Sequence, residues 1–221
     1  MFKKLLLFIL LTPSLSTMAS PESDYDEFVS YFENRFPDTP FEDYKNGVYS
    51  IDKSAREQWE SMEEFPPYEL NIDRGEELFN IPFKNGNTYA SCFDNEGIGI
   101  RQNYPYFNTE KNKVVTLEGA INECRVKNGE KPLSYYKGKE LAHVSAYMAY
   151  TSRGNKFNVE VPNTAEALEA YEDGRRLYFT KKGQLNFSCA DCHVYQTGTK
   201  LRADIPSPAI GHPTHFPVYR S

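Results

Sequence analysis

The chain has 221 residues, 39% of them hydrophobic and 14% aromatic, and a formal net charge of −6. That composition supports a buried core and excludes disorder throughout, and so acidic a chain is a poor match for nucleic acid as a partner. The charge is uneven: residues 21–70 hold 14 acidic and 4 basic side chains, whereas residues 71–221 hold 17 and 19.

The N-terminus reads Met1, Phe2, Lys3, Lys4, then an apolar run from Leu5 to Leu11, then a small polar stretch ending "STMAS". This is the layout of a secretory signal peptide, residues 1–19, with cleavage expected after Ala19. The apolar run falls short of the roughly 20 residues a bilayer span needs, and no other segment comes close. The mature chain is therefore expected in the oxidising periplasm, without a membrane span.

Residues 20–70 are acidic yet carry Tyr25, Phe28, Tyr31, Phe32, Phe36 and further aromatics, too many for a free tail. "DEFVSYFENRF" places Phe28, Tyr31, Phe32 and Phe36 at helical spacing, and "DKSAREQWESMEEFPPY" predicts a second helix stopped by Pro66 and Pro67. Both are expected to pack onto the neighbouring domains as an ordered extension.

From residue 71 onward the chain repeats itself. "DRGEELF" aligns with "EDGRRLYF", matching Gly75 to Gly174, Leu78 to Leu177 and Phe79 to Tyr178. Gly75 lies 17 residues before Cys92 in "SCFDNE", and Gly174 lies 15 before Cys189 in "SCADCH". The pattern predicts two copies of one small helical unit, 71–155 and 163–221. Arg153 to Pro162 form the linker, and Asn163 with Glu166 is suited to cap the next helix.

Cys189, Cys192 and His193 form the CxxCH run of c-type haem attachment: two thiols spaced for the two vinyl groups of one porphyrin, with the adjacent His as axial iron ligand. The rival readings are a surface disulfide, a zinc site completed by His212 and His215, and a thioredoxin-like redox pair, which would need a βαβ pattern that is not found. In the first copy Asn95 stands for the second thiol and Glu96 for the His. That unit keeps the frame without the means to hold haem, so one covalent haem c is expected. Four cysteines less two thioethers leave Cys92 and Cys124, and a disulfide is the ordinary fate of such a pair in a secreted protein. Closing that loop would stabilise the fold by roughly 3–4 kcal/mol.

The other single residues read more plainly. His143 and Met148 lie on the amphipathic stretch "ELAHVSAYMAY", as a surface or core histidine and a core methionine. His212 and His215 occupy a Pro-rich loop suited to line a haem pocket. Lys200, Arg202 and Arg220 sit in loops, where arginines are usually solvated.

Taken together, "FEDYKNGVYSIDKSAREQWESMEEFPPYE", "LEGAINECR", "LAHVSAYMAY", "LNFSCADCH" and "GHPTHFPVYR" make the chain resemble a SoxA-type cytochrome c with a single C-terminal haem, from about residue 25 to the end. The resemblance implies a mainly α protein: two cytochrome c-like helical domains in tandem, the first without haem, preceded by a helical extension. It implies a periplasmic complex with the small cytochrome subunit SoxX, acting as an L-cysteine S-thiosulfotransferase. That enzyme joins thiosulfate oxidatively to a cysteine of the SoxYZ carrier and passes the electrons through haem c. It makes Cys189 and Cys192 the thioether sites and His193 the proximal ligand, with Cys92 and Cys124 the disulfide replacing the first haem. In the family the sixth ligand is a cysteine thiolate, modified to a persulfide, beyond the "GHPTxxPxYR" stretch. The catalytic thiolate is thus expected past Ser221 and no catalytic residue within the chain. The repeat agrees, since the first copy runs 57 residues past Glu96 to Arg153 and the second only 28 past His193. The alternative is a plain electron-transfer cytochrome with His and Met ligands, although no Met follows His193.

Overall fold

The structure, a computed structural model, describes residues 20–202 and 205–211, so the expected signal peptide, His212, His215 and Arg220 lie outside the described residues. The fold is mainly helical, as expected. Helix α1 (Pro21–Arg35) starts where local chemistry tells it to. The side chains of Ser20 and Ser23 cap each other's backbone amides, Pro21 occupies the first turn, and Glu22 and Asp24 face the positive end of the helix dipole. A 3₁₀ stretch, Phe41–Ser50, breaks at Gly47, whose φ of 58° only glycine adopts without strain. Helix α2 (Lys53–Met62) is capped by Asp52 and ends ahead of Pro66 and Pro67.

The first repeat contains α3 (Glu69–Asn80), three short 3₁₀ turns, a two-stranded antiparallel ribbon, α4 (Leu117–Lys127) and α5 (Glu140–Tyr150). The ribbon pairs β1 (Tyr106–Asn108) with β2 (Lys113–Val115), Phe107 opposite Val114. Strands of three residues are too short to leave an alternating pattern, so sequence periodicity gives no sign of them. Helices α3 and α5 cross at Gly75, where a Cβ would stand 2.1 Å from the His143 carbonyl oxygen. The crossing needs a glycine. Around it Phe79, Tyr89, Leu117, Ile121, Val144 and Met148 form the core, each no more than 3% exposed.

The second repeat opens with α6 (Ala165–Phe179). Its cap is Thr164, whose hydroxyl accepts from the Ala167 amide at 3.2 Å, one residue later than the expected Asn163. Thr164 is the residue with extended backbone immediately before the first helical one, and the cap goes with that conformation. The two repeats differ in packing. Among the described residues nothing comes within 4 Å of a Cβ placed at Gly174, the partner of Gly75, and Leu177 is 57% exposed whereas its partner Leu78 packs on the first core.

The extension ties both repeats together. Buried Asp24 of α1 accepts from the Tyr171 hydroxyl at 2.8 Å and pairs with Arg175 at 3.0 Å, both on α6, and Phe28 lies against Phe179. At the other end Arg153 donates to the Tyr68 hydroxyl at 2.8 Å and stacks over the rings of Tyr68 and Tyr150. Among the described residues no helix is long and apolar enough to cross a membrane.

Candidate functional site

The Cys-rich turn is built by its own sequence. Ser188 and Asp191 cap it reciprocally, which is the S-x-x-D form of a capping box, and the chain then winds through one π-helical turn at Asp191–Tyr195. Cys189 is exposed and Cys192 half-buried, and neither is in a disulfide. The Nδ1 of His193 lies 3.0 Å from the Ser207 carbonyl oxygen. A carbonyl only accepts, so Nδ1 carries the proton and donates, and Nε2 is the nitrogen with a lone pair for a metal.

Tyr178, on the last turn of α6, supplies a further mark of this site. Its hydroxyl is buried and finds no hydrogen-bond partner among the described residues. Burial, and then the nearness of Cys189 and Cys192, push its pKa up to about 12. An orphaned buried hydroxyl beside two cysteines outside any disulfide, with a histidine whose Nδ1 is directed at a carbonyl, fits a covalently held haem. No group of three or more His, Cys, Asp or Glu suited to a metal gathers among the described residues, and His212 and His215, the proposed zinc partners, lie outside them.

The first copy departs from this in conformation as well as sequence. Asn95 and Glu96 take left-handed φ of 47° and 55°, so the chain turns away where the second copy continues its helical turn. Cys92 and Cys124 are joined by a disulfide with Cα atoms 5.7 Å apart. Asn128 was not legible as a partner of this bridge. Its Nδ2 donates to Cys92 Sγ at 3.3 Å and to the Cys124 carbonyl at 2.9 Å, while its Oδ1 accepts from Asn85 and Asn87. A cavity of about 700 Å³ opens beside the bridge, lined by both half-cystines, Phe93, Tyr104, Tyr106 and Lys127.

His143 is half-buried and Met148 fully buried, both on α5 in the first repeat. Lys200 and Arg202 are exposed. Ser207, the hydrogen-bond partner of His193, escaped sequence reasoning because a contact across 14 residues of loop leaves no local pattern.

The sequence pattern of the SoxA/TsdA cytochrome c domain matches residues 74–157, the repeat without a CxxCH. The L-cysteine S-thiosulfotransferase subunit SoxA of Chlorobaculum tepidum is 54% identical over 200 residues, covering 90% of this chain and 69% of that one. The subunit of the same name from Allochromatium vinosum is 50% identical over 206 residues, covering 93% and 73%. Among solved structures, SoxXA from P. pantotrophus superposes with a TM-score of 0.57 at 28% identity, over 65% of this chain and 55% of that chain. With identity at this level over most of both sequences, and a CxxCH turn folded to present its histidine, the chain belongs to the SoxA family of cytochromes c.

Proposed function

We propose that this chain is the haem-bearing subunit of a SoxAX-type L-cysteine S-thiosulfotransferase. The observation that carries the reading is the capped Cys189–Cys192–His193 turn with Nδ1 of His193 committed to the Ser207 carbonyl. In the reaction the outer sulfur of thiosulfate bonds to the sulfur of a carrier cysteine. The thiol proton leaves to solvent and two electrons leave with the new sulfur–sulfur bond. Haem c, which Cys189 and Cys192 would hold by thioethers, would take these two electrons one at a time and pass each to a cytochrome acceptor. This chain's residues hold and orient it: the Ser188–Asp191 cap fixes the turn, and the carbonyl of Ser207 sets the tautomer and plane of the imidazole. No residue from Met1 to Ser221 is assigned as the catalytic sulfur.

One haem per chain is proposed, because the first repeat has Cys92 in a disulfide and Glu96 at the position where His193 stands in the second. The reading further places the protein in the periplasm, exported by residues 1–19, with SoxX as its cytochrome partner and the SoxYZ carrier and thiosulfate as substrates. The likeness to the SoxXA structure supports the partner.

Two measurements test this. A pyridine haemochrome assay is expected to give one haem per chain, and none after Cys189→Ser with Cys192→Ser. With the product of the full reading frame, SoxX, the SoxYZ carrier and thiosulfate, mass spectrometry is expected to show the carrier cysteine gaining the thiosulfonate group. Haem without conjugation in the assembled complex would leave a plain electron-transfer cytochrome.

A further inference from the structure

The loop after the Cys turn is held from a distant part of the chain. Ser207 is 8% exposed and makes two contacts of different kinds. Its carbonyl accepts from His193 Nδ1 at 3.0 Å, and its hydroxyl accepts from the backbone amide of Val48 at 3.0 Å, across 159 residues. The Ala209 amide donates to the His193 carbonyl at 2.9 Å, closing the loop back on the histidine. The 3₁₀ stretch that holds Val48 lies directly on this loop: a Cβ at Gly211 would stand 2.1 Å from the Tyr44 carbonyl oxygen and 3.1 Å from Gly47 Cα. On the other side of His193, Arg35 of α1 donates to the carbonyls of Tyr195 at 3.0 Å and Thr197 at 2.9 Å. The extension therefore grips the backbone on both flanks of the histidine.

We propose that Ser207, anchored through its hydroxyl to Val48 of the N-terminal extension, is a positioning residue that sets the donor strength of His193 toward the haem iron. The inference rests on the haem reading above. A carbonyl held in place keeps its bond to Nδ1–H short, which makes the imidazole more basic and favours ferric iron. When Ser207→Ala removes the hydroxyl, the Val48 amide loses its acceptor and the carbonyl is free to drift, so the imidazole becomes a weaker donor.

The test is the reduction potential of the haem-loaded full chain and its variants. Ser207→Ala is expected to raise the potential by up to a tenfold change in the ferric-to-ferrous preference, ~59 mV for one electron. Ser207→Thr keeps the acceptor and is expected to restore the wild-type value. Ser50→Ala breaks the Ser50 hydroxyl to Gly47 carbonyl bond of 2.6 Å in the same 3₁₀ stretch without touching the loop, and is expected to leave the potential unchanged. An unchanged or lowered potential in Ser207→Ala, or an equal rise in Ser50→Ala, overturns the proposal. If Ser207→Ala does not fold, hydrogen exchange at the Val48 amide of the wild-type protein decides: protection supports the anchor, and exchange as fast as at exposed amides overturns it. Absence of haem from the wild-type chain would count against the haem reading itself, which separates the two failures.

Discussion

Ser188 and Asp191 hold each other across the turn that carries Cys189 and Cys192. The Asp191 amide donates to Ser188 Oγ at 3.0 Å, and the amide and hydroxyl of Ser188 both donate to Asp191 Oδ2, at 2.8 and 2.9 Å. Ser188→Ala removes one arm of the cap and is expected to lower stability by about 1 kcal/mol in thermal unfolding. The Ser188 backbone amide, helped by the Ser188 hydroxyl and Lys181, holds the Asp191 carboxyl below the usual carboxylate range. A depressed folded pKa contributes stability that is present above the unfolded value of about 3.9 and lost as pH falls through the folded one. Asp191→Asn should therefore flatten the loss of stability on acidification below about pH 4, and an unaltered slope would mean that the cap is not formed in solution.

The two matched glycines should answer substitution in opposite ways. At Gly75 a Cβ would meet the His143 carbonyl oxygen at 2.1 Å and Tyr147 Cβ at 2.8 Å, groups that move only if the two helices separate. Gly75→Ala is expected to cost about 3 kcal/mol in urea unfolding. At Gly174 nothing among the described residues stands within 4 Å, and Gly→Ala inside a helix gains roughly 0.5–1 kcal/mol. Unfolding of the 221-residue chain with Gly174→Ala measures this, and a loss comparable to that at Gly75 would show another element seated on α6.

The Cys92–Cys124 bridge joins the 3₁₀ turn Tyr89–Cys92 to α4 within the first core. Replacing both cysteines by Ser should lower stability by roughly 3–4 kcal/mol on the chain-entropy account. Asn128→Ala should cost on the order of 2 kcal/mol, because it strips the acceptor from the Asn85 and Asn87 amides. Thiol titration of the native wild-type protein checks the pairing, and reaction at Cys92 or Cys124 would contradict it.

What the sequence made legible was local or repeated. Cys189, Cys192 and His193 are nearly contiguous, so the haem attachment proposed for them can be read without knowing the fold, and the Gly75–Gly174 pairing follows from spacing alone. Helix α1 and helix α5 were visible from apolar periodicity, since each presents one face to a core. The partners of His193 were not. Val48 reaches Ser207 across 159 residues, and only the folded backbone brings them together. Asn128 reads as one more polar residue near a helix end until α4 places its amide between two sulfurs. The cap at Thr164 rather than Asn163 shows the usual limit at helix ends, where neighbouring residues of the same capping type compete and the backbone decides.

Tyr104 offers a test of the first core at high pH. It is 9% exposed, and burial, followed by the nearness of Tyr106, Asp94 and Glu123, pushes its pKa up to about 12. A tyrosine whose folded pKa lies above the unfolded value of about 10 gives stability that is intact below pH 10 and lost as pH rises through 12, because the unfolded chain releases the proton first. The gap between the two ionisations corresponds to a loss on the order of 2 kcal/mol. Tyr104→Phe keeps the ring that packs against Tyr106 and removes the ionisable proton. Its stability should fall less steeply than that of the wild-type protein between pH 10 and 12, measured as the difference in urea midpoints. Equal slopes in the two proteins would show that water reaches the Tyr104 hydroxyl in the folded state, and that the cavity beside the disulfide is open to its base.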